Sequence, residues 1–374
     1  MSTLFGCALA VSCTSWKTVP SPFARTSIVP VGPGAIDAAI GDFDGDGNPD
    51  LISADRRGLT VLLNQGDGNF APAPGSPVPV GAGLHLLALA DLDRDGDLDV
   101  LATGHDHAGV FVWLGNGHGE LTAGPGSPHL AHGPEIRAHN HGLAVGDLSG
   151  DGVPDVLTAN DGDGTASVLL GDGTGQFAHA PGSPMSVGAE PYLSTLADVD
   201  GDGFLDAVMP LVGDDALAVL RGDGRGGFAP AVGSPQATLA RPYAVVVTDL
   251  EGDGRGDVLI AHDDTDRMTI LSGAEGGRLV PAVGSPFALG QRVFRMATAD
   301  FNGDGAIDVV GAAGDRLLVF LAQPGGNFAR FSRVELSGGG WNVAIGDLDR
   351  DGKPDLVSPD SAAGVLKLWL SSAR

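Results

Sequence analysis

The chain has only two cysteines in 374 residues, Cys7 and Cys13, both close to the N-terminus. Everything after them must fold without a disulfide framework or a thiolate-ligated zinc site. Basic residues are also scarce: 21 Lys and Arg stand against 47 Asp and Glu, a formal charge of −26. Phosphate backbones are held by clustered cations, so this balance excludes nucleic acid as the partner and makes cations the expected one. No apolar run approaches the roughly 20 residues a helix needs to cross a bilayer, and no membrane span is expected. A Gly-x-Ser-x-Gly elbow, a phosphate loop, a dinucleotide fingerprint and a His-Glu-x-x-His helix are all missing, which leaves hydrolase, NTPase, dehydrogenase and zincin chemistry without support.

Glycine (60) and proline (25) are plentiful instead, and the hydrophobic 43 % falls into short, evenly spaced runs. That combination describes many short strands joined by tight turns. Aligned against itself, the chain yields seven acidic loops starting at Asp42, Asp91, Asp147, Asp198, Asp249, Asp300 and Asp347, spaced 47 to 56 residues apart. The first offers Asp42, Asp44, Asp46, Asn48 and Asp50, and the second Asp91, Asp93, Asp95, Asp97 and Asp99. The third offers Asp147, Ser149, Asp151 and Asp155, the fourth Asp198, Asp200, Asp202 and Asp206, and the fifth Asp249, Glu251, Asp253 and Asp257. Asp300, Asn302, Asp304 and Asp308 form the sixth, and Asp347, Asp349, Asp351 and Asp355 the seventh.

Every loop thus keeps oxygen donors at positions 1, 3, 5 and 9. Calcium takes six to eight hard oxygen ligands on a flexible frame, and alternating acids around a glycine-permitted turn supply them. A solitary Asp/Gly loop would read as a solvated turn. Seven in register hold over half of the 47 acids, and carboxylates crowded in that way repel one another unless cations intervene. Calcium, up to one ion per loop, is the expected cofactor.

Apolar runs flank each loop, such as 38–40 before and 51–52 after the first, and read as first and second strands. A third run (60–63, 110–114, 168–170, 218–220) leads into a glycine-rich turn, and a fourth segment is expected to begin near Gly-Ser-Pro at 75, 126, 182, 233 and 284. Four short strands in roughly 50 residues make the unit of a β-propeller blade. On these loops and this period the chain resembles the FG-GAP/VCBS repeat family, whose members include the integrin-α head. The resemblance covers about residues 20 to 374 and implies an all-β, seven-bladed propeller of four-stranded antiparallel blades with calcium between strands one and two of each blade. Ser149 and Asn302 replace acids at position 3, which predicts weaker binding in those two loops.

Residues 20–374 are therefore expected to form a single domain. The chain ends on a third strand, and residues 20–32 resemble a fourth, so the N-terminal segment is expected to complete the last blade and close the wheel. Residues 1–19 are read as a tail in which the apolar run 4–11 resembles the core of a secretion signal, although no Lys or Arg precedes it. A secreted, periplasmic or extracellular monomer is the expectation.

Propellers host many unrelated activities, so function must be sought in the residues that differ between blades. Six residues ahead of each loop's first aspartate stand Ile36, His85, His141, Tyr192, Tyr243, Phe294 and Trp341, expected at the channel mouth opposite the acidic loops. His139, Glu190, Arg241 and Arg292 lie two positions earlier, Arg295 one position later, and the loops between strands two and three add His105, Asp106, His107, His262 and Asp263. Four readings stay open. The side chains simply pack as strand starts, since aromatics favour strands. The histidines hold a transition metal. His85, His105, His107, His139, His141, Tyr192 or Tyr243 act as acid and base with Arg241 or Arg292 neutralising a carboxylate, as a lyase on uronic-acid polysaccharide requires. Or His85, His141, Tyr192, Tyr243, Phe294, Trp341 and Arg295 recognise a carbohydrate or other small polar ligand without catalysis, the reading that needs fewest assumptions.

Overall fold

A computed structural model of the chain describes residues 19–55, 58–66, 68–81, 83–104, 107–131, 140–323 and 331–371. The expected export signal, with Cys7 and Cys13, lies outside the described residues, as do His105, Asp106 and His139. Among the described residues there is no helix, and the strands form seven antiparallel sheets. No helix long and apolar enough to cross a membrane occurs among them.

Blade one shows the common plan. Its inner strand Asp37–Gly41 pairs with Asp50–Asp55, which pairs with Gly58–Asn64, and the outer edge is formed by Phe70–Pro72 and Val78–Pro79. Inner strands of successive blades touch all the way round, Ala344–Gly346 of blade seven reaching Asp37–Gly41 of blade one. The second strands, such as Asp50–Asp55 and Asp206–Leu211, are buried along their whole length. Each is covered on both faces by neighbouring blades, which is why these segments read as unbroken apolar runs and not as alternating ones. Ile52 and Val61 of blade one pack with Val100, Phe111 and Trp113 of blade two. Val357 and Leu368 of blade seven pack with Leu51 and Leu62 of blade one, so the apolar core runs across the closure.

The closure itself is made by the N-terminal strand Phe23–Pro30, which pairs antiparallel with Val365–Ser371 as the outer strand of blade seven. The backbone groups of the last third strand are thereby satisfied instead of being left as a template for aggregation.

The outer strands depart from the sequence expectation. They begin about five residues before Gly-Ser-Pro, and that motif opens a second short piece after a break. At the break the serine replaces the missing ladder bond. Ser76, Ser127, Ser183, Ser234 and Ser285 Oγ accept the third-strand N–H of Val61, Val112, Val168, Val219 and Ile270 at 2.8–2.9 Å. Blade six lacks the motif, and its outer strand Ser332–Ser337 runs unbroken along Arg316–Leu321. Removing one such hydroxyl strands a buried donor, so Ser127→Ala should cost about 1–3 kcal/mol. A lower urea midpoint with unchanged m-value is the expected result, and an unchanged midpoint would show that the hydroxyl is dispensable.

Candidate functional site

The acidic loops are built around their ninth residue. Asp50, Asp99, Asp155, Asp206, Asp257, Asp308 and Asp355 begin the second strands and are almost wholly buried. One oxygen of each accepts the N–H of loop position 2 (Phe43, Leu92, Leu148, Val199, Leu250, Phe301 and Leu348) at 2.6–3.0 Å. The other accepts an N–H at the end of the third strand, such as Asn64 at 2.7 Å or Gly273 at 2.9 Å. The position-2 side chain is apolar in every loop and buried, which seats the turn on the core. At position 1, one carboxylate oxygen accepts the N–H of the position-6 glycine in all seven loops. These glycines have φ of 79–96°, a conformation that costs them nothing.

Oxygens of these residues also converge on one another. In the groups Asp42–Asp44–Asp50, Asp91–Asp93–Asp99, Asp198–Asp200–Asp206 and Asp347–Asp349–Asp351, one oxygen per residue lies within 4.8 Å of the others. Calcium–oxygen bonds are about 2.3–2.6 Å, so an ion between oxygens so spaced would touch all three. Asp91 Oδ1, Asp349 Oδ1 and Ser149 Oγ are buried without a hydrogen-bond partner. Burial pushes the carboxyls of Asp50, Asp99 and Asp355 up to about 6 and that of Asp308 up to about 7, with loop neighbours adding repulsion for Asp50, Asp99 and Asp308. Orphaned hard oxygens and strained charge both fit a divalent cation. In the fifth loop, all acidic in sequence, Glu251 instead accepts from Ser272 at 3.2 Å. Arginines reach several loops: Arg221 contacts Asp200, Arg25 contacts Asp349, Arg255 pairs with Asp253 at 2.9 Å and Arg350 donates to Asn48 Oδ1 at 3.2 Å.

At the opposite end the seven collar residues come together. His85 and His141 meet edge to face with centroids 5.2 Å apart, His141 stacks on Tyr192 at 4.2 Å, and Tyr192 faces Tyr243 at 4.4 Å. Tyr243 meets Phe294 at 6.0 Å and Phe294 meets Trp341 at 4.2 Å. The phenols of Tyr192 and Tyr243 are hydrogen-bonded at 2.9 Å, and burial, then Tyr243, raises the pKa of Tyr192. Bulges aim several of these side chains: the pairing register slips at His85, His141 and Tyr243. His141 Nε2 lies 3.5 Å from Asp161 Oδ2.

The collar encloses a small cavity of about 120 Å³, lined by Ile36, His85, Tyr192, Tyr243, Phe294 and Trp341 together with Arg295 and Asn342. That is below the roughly 300–1,000 Å³ typical of sites that engulf a small ligand, and fits a shallow cup that holds part of one. Trp341 is 53 % exposed and forms the lip. The polar residues beneath the collar were not all anticipated. Asp37 and Asn342 occupy the same offset as Arg295, one residue past the collar, where blades two to five carry Leu86, Gly142, Leu193 and Ala244. That contrast was the available signal. Asp37 is buried and accepts from the N–H of Ala38 and of Leu87, each at 2.8 Å, and from Asn342 Nδ2, tying together blades one, two and seven.

Other expected residues lie elsewhere. Arg241 Nη2 pairs with Asp263 at 3.1 Å, and Arg292 donates to the Asp263 carbonyl at 2.9 Å with its guanidinium 5.8 Å over Phe294, so both belong to the outer rim. His107 is exposed and packs edge-on to Phe111. His262 is fully buried, one ring nitrogen 3.1 Å from the Ala240 carbonyl and the other 2.9 Å from Thr269 Oγ1. Among the described residues no group of three His, Cys, Asp or Glu ligands forms at the mouth.

The model of the FG-GAP-like repeat matches residues 42–102, 91–158, 147–209, 249–311 and 300–358, well over half of the chain. No curated protein matches the chain by sequence. Among solved structures, the chain is similar to an Agrocybe aegerita lectin described as recognising non-reducing terminal N-acetylglucosamine, with 21% identity, a TM-score of 0.58, and coverage of 94% of this chain and 96% of that one. It is similar to BBS1N in complex with ARL6DN, at 14% identity, a TM-score of 0.66, and coverage of 95% and 98%. It also resembles a virginiamycin B lyase from Staphylococcus aureus, at 12% identity, a TM-score of 0.55, and coverage of 92% and 99%. At these identities the likenesses show the fold alone.

His262 has a pH signature of its own. Burial holds its pKa below the usual 6.5, against the opposing pull of the Ala240 carbonyl and of Asp264. A base kept neutral in the fold contributes stability that is present above pH 6.5 and is lost below it, as the unfolded chain takes up the proton. His262→Gln should therefore flatten the fall in melting temperature between about pH 6.5 and 5. Superimposable pH profiles for the two proteins would contradict the assignment.

Proposed function

The chain belongs to the FG-GAP-like repeat family, and from that premise we propose that it is an exported, calcium-stabilised propeller that binds a carbohydrate or other small polar ligand in the aromatic cup at its channel mouth. The observation that carries this reading is the unbroken contact from His85 through His141, Tyr192, Tyr243 and Phe294 to Trp341 around one cavity. Aromatic faces stack on the apolar faces of sugar rings, while His, Tyr and Asn edges give directional hydrogen bonds. The similar lectin structure, whose own ligand is N-acetylglucosamine, agrees in kind.

Calcium is the proposed counter-charge for the loops, held first by the four groups whose oxygens converge, with the third and sixth loops weaker for want of an acid at position 3. A bound ion would neutralise carboxylates that burial otherwise penalises. Extracellular modules work at calcium affinities of about 10⁻⁴–10⁻³ M, which suits an exported protein.

An enzymatic use of the same cup is the second reading. It is favoured by the His141–Asp161 contact, in which a carboxylate stands beside a buried histidine of the collar, an arrangement used in acid–base chemistry. Tyr192 is a poorer base, because its burial disfavours the phenolate. Release of unsaturated uronate from acidic polysaccharides, followed by ultraviolet absorbance, separates the readings: no product across a broad panel rejects the lyase.

Two outcomes are expected. Chelation should lower the melting temperature, each site losing up to about 2.7 kcal/mol if calcium had stood at about a hundred times its Kd; an unchanged curve would refute the structural role of the loops. Trp341→Ala should weaken glycan binding about tenfold or more at unchanged melting temperature, since an exposed aromatic face that a ligand covers carries much of the binding energy and little of the fold. Full affinity in that variant would move the ligand away from the cup.

A further inference from the structure

Arg295 is the one charged residue lining the cup, in a protein of formal charge −26, and no Asp or Glu lines it beside Arg295. It opens the inner strand Arg295–Ala299 of blade six and is only partly exposed. Among the described residues its guanidinium makes no hydrogen bond and no ion pair, although arginine carries five donors in a fixed fork. Other arginines at this end are committed: Arg241 and Arg292 to Asp263, Arg267 to the Pro286 carbonyl. The acid that acts on Arg295, Asp37, attracts it through space, while its oxygens accept from Ala38 N–H, Leu87 N–H and Asn342 and make no hydrogen bond with the guanidinium.

A half-buried cation with unspent donors is costly to leave unpaired, and a planar anion is the partner its geometry fits. We infer that the ligand of the cup is an acidic saccharide of the hexuronate class, its carboxylate seated on Arg295 and its ring against Tyr192, Tyr243, Phe294 and Trp341. This rests on the proposed carbohydrate reading and adds the charge and orientation of the ligand. The carboxylate enters first, because Arg295 lies beneath the collar while Trp341 forms the lip. Neutral sugars keep the stacking and lose the charged hydrogen bonds, a difference of about ten- to a hundredfold in affinity.

The test compares methyl glucuronide with methyl glucoside, which differ only in the carboxylate, by calorimetry on the calcium-loaded full chain, with inorganic sulfate as an anion without a sugar. Wild-type protein should bind the glucuronide at least tenfold more tightly. Arg295→Gln should abolish that preference, the glucuronide falling to the affinity that the same variant shows for the glucoside; Arg295→Lys should restore part of it. Should the Gln variant fail to fold, the wild-type preference alone decides. Equal affinity for the two sugars, or a preference that survives in Arg295→Gln, overturns the inference while the carbohydrate reading stands. Sulfate binding without either sugar overturns the saccharide assignment and the carbohydrate reading together. No binding of any of the three overturns both as well.

Discussion

One buried carboxylate per blade organises this molecule. The aspartate at loop position 9 is taken out of water at the start of the second strand, and each of its oxygens is given a backbone N–H, one from the loop and one from the end of the third strand. The pair of bonds pins the loop over the sheet and fixes where the third strand stops. The same burial makes the charge expensive, which is why these carboxyls lie well above the ordinary carboxylate range. Repeated seven times, the arrangement creates a demand for cations along one end of the wheel, met in part by Arg25 and Arg221 and, on the reading advanced above, by calcium.

That regularity releases the other end from structural duty. The second and third strands hold the blades together through apolar faces, and Asp37 laces blades one, two and seven beneath the mouth. With the wheel so fixed, the collar position can vary from blade to blade without loss of fold. The seven side chains there are of five kinds, the contacts of the aromatic and histidine rings are continuous, and among the described residues lining the cavity Arg295 is left with its donors unspent.

Much of this was legible in the sequence, because a repeat states its own geometry. Position 9 acids, apolar second and third strands and the collar offset recur at fixed intervals, and height along a strand follows from offset alone. Lateral partners do not. Asp263 faces Arg241 and Arg292 from neighbouring segments, Asp37 meets Asn342 across 305 positions of chain, and nothing local marks those pairings. His262 looked like a mouth residue beside Asp263, but it ends a second strand, the most buried element of every blade, and packs there as a neutral core side chain. The fifth loop shows the same limit: its composition is complete, but Glu251 turns to Ser272. Gly-Ser-Pro is visible as punctuation, but its role as a hydroxyl acceptor for the third strand depends on pairing that no local signal marks.

The division of labour between the two ends is tested most directly by a crystal structure of the chain grown with calcium and soaked with methyl glucuronide. Calcium is predicted among Asp42, Asp44 and Asp50 and their counterparts, with the sugar inside the collar, its ring against Tyr192, Tyr243, Phe294 and Trp341 and its carboxylate on Arg295. Sugar density at the acidic loops or between blades, with the collar occupied only by water, would contradict it.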